Sequence, residues 1–89
     1  MSTSITKLSD SKYRVTVEQD GSKTTHEVTV TAADVERYAP GATPEALLAA
    51  SFEFLLEREP KESILRRFEL PVIERYFPEY AREIAKRLR

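Results

Sequence analysis

An α+β fold, in which an N-terminal β-hairpin packs on a central helix followed by short proline-delimited helices, is what the order of patterns along this chain predicts. Three observations carry it. Residues 12–31 alternate with the two-residue period of a strand around Asp20-Gly21, residues 43–58 hold a broad apolar arc at helical spacing, and Pro60, Pro71 and Pro78 divide the remainder into short pieces. With 89 residues, 40% of them hydrophobic and 33% charged, the chain fits one small domain over residues 12–89. Residues 1–11 are expected to be either a disordered tail or an edge strand, because Ile5 and Leu8 do not alternate.

Asp-Gly between alternating apolar runs is the strongest short-range signal for a two-residue hairpin loop. A loop at Asp20-Gly21 pairs Tyr13 with Val28, Val15 with His26 and Val17 with Thr24 on one face, and Val30 extends that stripe. The opposite face pairs Arg14 with Glu27 and Glu18 with Lys23. One register therefore yields both an apolar face and two opposite-charge pairs, and a slip by one residue would destroy both.

Two strands alone are marginal in water, so the apolar face requires cover. Thr31-Ala32-Ala33-Asp34 has the spacing of a capping box and starts a short helix that runs to Tyr38, before Pro40-Gly41. Thr43-Pro44-Glu45 then reads as N-cap, proline at the first helical position and an acid where the helix dipole favours it, opening the main helix to about Arg58. On this helix Leu47, Leu48, Phe52, Phe54, Leu55 and Leu56 cover about half the circumference, with Ser51 among them. The remaining face holds Ala46, Ala49, Ala50, Glu53 and Glu57. Beyond it, Ile64, Leu65 and Phe68 mark one helical piece, Val72, Ile73, Tyr76 and Phe77 a second, and Tyr80, Ile84 and Leu88 a third.

Composition removes several chemistries. Fourteen basic residues against fifteen acidic ones leave a net charge of -1, without global attraction to nucleic acid or anionic membrane. Zero cysteines exclude disulfides, thiol nucleophiles and cysteine-ligated metals, and two glycines are too few for a phosphate-cradling loop. The N-terminal residues lack an apolar core of signal-peptide length, from which a soluble, cytoplasmic protein is expected. His26 is the only histidine, and its register places it at the rim of the apolar face rather than in a catalytic constellation. Glu62 and Arg66 have the spacing of a helical ion pair, and Glu53, Glu57 and Lys61 fall on helix faces where solvated charges sit. No catalytic residue, metal site or cofactor site is assigned.

Two groups remain as binding candidates. Tyr76, Phe77 and Tyr80 concentrate three of the eight aromatics within five residues, a cluster that either completes a core or anchors a protein interface. Arg66, Arg67, Arg75, Arg82, Lys86 and Arg87 crowd the last quarter of the chain and are candidate phosphate contacts. Residues 45–89 as a whole hold nine bases and nine acids, however, and cations at a helix C-terminus are also favoured by its dipole.

The run from Ser51 to Pro60, with Ser63-Ile64-Leu65-Arg66-Arg67-Phe68 and the run from Pro71 to Pro78, resembles a small bacterial protein family without an assigned function. That resemblance implies a recurrent compact domain and carries over no catalytic residue. The shorter run from Thr43 to Ser51, after a hairpin, is similar to the entrance of the central helix in OsmC-like peroxidases. Their activity requires two reactive cysteines, which this chain lacks. The expected function is a small non-enzymatic protein-interaction module, able to bind another protein or itself through the hairpin edge or the aromatic region. A nucleic-acid-binding accessory role through the basic C-terminal helices is the alternative.

Overall fold

The computed structural model describes residues 2–88. Its strands are β1 (Ser2–Lys7), β2 (Lys12–Gln19), β3 (Ser22–Thr29) and β4 (Arg67–Glu69). Its helices are α1 (Ala32–Tyr38), α2 (Pro44–Leu56), α3 (Val72–Tyr76) and α4 (Tyr80–Arg87), with one 3-10 turn at Lys61–Ser63. The strands form a single sheet in the order β1-β2-β3-β4, antiparallel except for the parallel pair β3–β4.

The hairpin has the expected register, with Tyr13 opposite Val28, Arg14 opposite Glu27, Val15 opposite His26, Val17 opposite Thr24 and Glu18 opposite Lys23. Asp20 (φ 55°) and Gly21 (φ 78°) both occupy the left-handed region, as a type I′ turn requires. Tyr13, Val15, Val17, Val28 and Val30 are buried, whereas Arg14, Glu18 and Lys23 face solvent. Of the two alternatives for the N-terminus, the edge strand is realised: Ser2–Lys7 pairs with β2, and Ile5 sits opposite Val15 against the core. Ile5 is its single apolar contribution, which is why no alternation marks this strand.

The helical piece expected at Ile64, Leu65 and Phe68 is not formed. The chain makes the 3-10 turn and then extends, and Phe68 and Leu70 are buried on either side of exposed Glu69. Once β2 occupies one side of β3, the N–H of Glu27 and the C=O of Thr29 on the other side need partners. Arg66 and Leu70 supply them, at 2.8 and 3.0 Å. Because the segment is extended, Glu62 and Arg66 do not pair as on a helix; Glu62 accepts from Lys61 Nζ at 2.8 Å instead. A second correction concerns the hairpin edges: β1 and β4 cover both of them, so the free edges of the sheet belong to those two strands.

Both main helix starts are capped as expected. Thr31 and Asp34 exchange side-chain-to-backbone hydrogen bonds, and Thr43 Oγ1 accepts from Ala46 N at 3.0 Å. Helix α2 ends at Leu56, two residues short of Arg58, and it is enclosed on several sides: Leu47, Leu48, Ala50, Phe52, Phe54 and Leu55 are buried. Phe52 lies towards the sheet, with ring centroids 5.4 Å from His26 and 6.3 Å from Phe68. Phe54 lies towards α4, 5.4 Å from Tyr80. Ser51 donates to Leu47 O at 2.7 Å, so the 2.6 Å contact with Tyr80 is donated by the Tyr80 hydroxyl.

Candidate functional site

Between the end of α2, the extended segment leading into β4, and α3 lies an open apolar groove of about 190 Å3. Its floor is made by buried Leu55, Ile64, Phe68 and Ile73. The two most exposed large apolar side chains among the described residues stand on its rim, Tyr76 at 66% and Leu65 at 46%. Extended backbone explains the first rim residue, because adjacent side chains point to opposite sides: Ile64 turns into the core, so Leu65 turns out. Tyr76 is set by α3, which buries Ile73, half-buries Val72 and leaves Tyr76 facing outward, with Phe77 half-buried just past the helix end.

The rim is held from beneath. His26, fully buried, contacts the Leu65 carbonyl through Nδ1 at 2.8 Å and the Thr24 hydroxyl through Nε2 at 2.8 Å. A carbonyl only accepts, so Nδ1 carries the proton and Nε2 accepts from Thr24. Burial lowers the His26 pKa from its ordinary value, and the positive charge of Arg66 acts in the same direction against the raising effect of the Leu65 bond. A neutral, sealed imidazole with both nitrogens satisfied positions Leu65; it does not reach solvent as a general base. Glu59, also in the groove, has its pKa raised by partial burial.

The aromatic candidates divide. Tyr76 and Phe77 line the groove, whereas Tyr80 is fully buried against Tyr38, Phe54 and Ser51 and belongs to the core. The cationic candidates are spread over separate elements: Arg66 and Arg67 at β4, Arg75 on α3, and Arg82, Lys86 and Arg87 on α4. Three of the six are engaged with carboxylates. Arg67 Nε lies 3.4 Å from Glu27, Lys86 Nζ lies 3.7 Å from Glu83, and Arg87 clamps Glu57 at 2.6 and 2.8 Å while reaching Glu53 at 2.8 Å. Arg66, Arg75 and Arg82 are exposed and form no ion pair among the described residues.

Leu65 and the floor residues Ile64 and Ile73 are not candidates on sequence grounds. The available signal is the adjacent pair Ile64-Leu65, which in an extended chain cannot both face inward. Among the described residues no cluster of His, Cys, Asp and Glu is arranged to hold a metal ion, and no helix is long and apolar enough to cross a membrane. The fold and groove define a small α+β domain with an apolar surface concavity beside Tyr76; a second hollow lies between the Tyr38–Ala42 segment and the end of α4, at Ala85 and Leu88. Comparisons with protein-family models, curated proteins and solved structures find no significant match to this chain.

Proposed function

We propose that this protein is a small protein-interaction module that receives an apolar anchor of its partner in the groove beneath Tyr76 and Leu65. The observation that carries the reading is the exposure of those two side chains over a floor made by Leu55, Ile64, Phe68 and Ile73. A tyrosine beside an apolar depression is the composition of an interface hot spot, and a partner covering it would remove water from both rim residues. A photo-crosslinking amino acid at Tyr76 tests this against the same group at Arg14 on the solvent face of the sheet. A discrete adduct with one protein at Tyr76 and none at Arg14 is the expected result, and equal labelling at both positions, or none at Tyr76, overturns it.

The nucleic-acid reading rests on the exposed cations Arg66, Arg75 and Arg82. It is the weaker of the two because Arg67, Lys86 and Arg87 already neutralise carboxylates of the same chain. Fluorescence anisotropy with labelled RNA and DNA at low salt tests it. Binding that falls steeply with added salt would favour this reading over the groove.

A further inference from the structure

The two free edges of the sheet differ in how they are protected. Strand β4 is three residues long and carries Arg67 and Glu69, features that blunt an edge against pairing. Strand β1, Ser2-Thr3-Ser4-Ile5-Thr6-Lys7, is six residues long, has no proline and no acid, and has a single charge at its last position. It lies away from the β4 end of the sheet that borders the groove, so pairing at the β1 edge is independent of any ligand in the groove.

The hydrogen-bond parity identifies which β1 groups are free. Leu8 N donates to Lys12 O at 2.8 Å, continuing the register in which Lys7 faces Tyr13. Alternate residues of an antiparallel pair exchange bonds, so Ser2, Ser4 and Thr6 are the residues bonded to β2. From the other side, Val30 N donates to Ser11 O at 2.7 Å, which commits Tyr13, Val15 and Val17 to β3 and leaves Arg14, Thr16 and Glu18 for β1. Both routes agree that the N–H and C=O groups of Thr3, Ile5 and Lys7 point out of the sheet.

We propose that this edge pairs with the same edge of a second copy of the chain, antiparallel and centred on Ile5, joining two four-stranded sheets into one. In that register Ile5 faces Ile5 of the second copy, Thr3 faces Lys7 and Ser4 faces Thr6. All outward N–H and C=O groups of Thr3, Ile5 and Lys7 are then matched, because the three positions map onto one another under the two-fold axis. Charge agrees as well: each Lys7 meets a neutral threonine, no like charges stand opposite one another, and the Ser–Thr pairs suit cross-strand hydrogen bonding. The Ile5 pair extends the apolar layer that Ile5 already joins within one copy.

The cysteine-free chain makes the register directly testable. Directly opposed Cα atoms in a hydrogen-bonded antiparallel pair are about 5.5 Å apart, within disulfide range. Ile5→Cys is therefore expected to give a covalent dimer on mild oxidation. Ser4→Cys is expected to remain monomeric under denaturing electrophoresis, because Ser4 faces Thr6 and not itself. In sedimentation the unmodified chain should have twice the monomer mass, and Ile5→Pro should halve it with unchanged far-UV circular dichroism, since the removed N–H serves no bond within the chain. An unmodified chain that sediments as a monomer at every concentration overturns the proposal. So does crosslinking of Ser4→Cys that matches or exceeds Ile5→Cys, and the cysteine pair decides even if Ile5→Pro fails to fold.

Discussion

His26 and Leu65, thirty-nine residues apart, are joined by a 2.8 Å hydrogen bond from a sealed imidazole to the carbonyl behind the groove rim. Strand β3 thereby holds the extended segment that leads into β4, and with it the outward direction of the Leu65 side chain. The same bond makes stability sensitive to pH. Burial lowers the folded-state pKa of His26 below 6.5, so the unfolded chain binds more protons in mildly acidic solution. The His26 contribution is fully present above about pH 6.5 and is lost as pH falls towards the folded-state value. Thermal melts from neutral to mildly acidic pH should show a decline in the parent that is absent in His26→Leu. That variant should also be less stable at neutral pH by about 1–3 kcal/mol, since it strands the Leu65 carbonyl and the Thr24 hydroxyl. Parallel pH profiles for the two proteins would contradict the assignment.

Ser51 and Tyr80 should behave as a coupled pair. Ser51→Ala leaves the buried Tyr80 hydroxyl without its acceptor and is expected to cost about 1–3 kcal/mol in a denaturant melt. Adding Tyr80→Phe to it removes the stranded donor, so the double variant should recover part of that loss. Strict additivity of the two substitutions would mean the 2.6 Å contact carries no coupling.

At the hairpin turn, Gly21→Val is expected to destabilise by about 1–3 kcal/mol, because φ is 78° there and a β-branched residue rarely adopts it. The cost is conformational rather than steric, since a Cβ at this position meets nothing within 4 Å. Gly21→Asn, which tolerates the left-handed region, should cost less. Equal melting temperatures for the two variants would refute a backbone origin.

Tyr76→Glu should leave stability within about 0.5 kcal/mol of the parent, since the side chain is 66% exposed, while abolishing capture of a groove partner. A large stability loss in the same melt would identify Tyr76 as a packing residue instead.

Short-range chemistry makes much of the fold legible. Asp20-Gly21 supplies the positive φ values, Arg14/Glu27 and Glu18/Lys23 agree on one register, and Thr31 and Thr43 cap their helices through bonds that span three residues. The segment at Ile64–Phe68 reads as a helix because Ile64 and Phe68 are four apart, while the alternation of Phe68, Glu69 and Leu70 is too brief to outweigh that spacing. Its extended conformation is decided by the open side of β3, about forty positions earlier in the chain. Strand β1 escapes a sequence assignment for a related reason: an edge strand with one apolar residue has no periodicity to read.

The candidate site divides along the same line. Composition alone marks Tyr76, Phe77 and Tyr80 as a cluster, but one turn of chain at Pro78 sends Tyr80 beneath α2 and leaves Tyr76 in water. It marks six C-terminal cations as a group, and their partners Glu27, Glu53, Glu57 and Glu83 remove three of them. By itself the sequence determined the hairpin, its register, the starts of α1 and α2 and the α+β class, because turn dihedrals, caps and cross-strand pairs act between residues already close along the chain. Only the tertiary structure decided that β4 completes the sheet, that His26 supports Leu65 and that a groove opens beside Tyr76, because each depends on satisfying backbone groups and burying side chains brought together from distant segments.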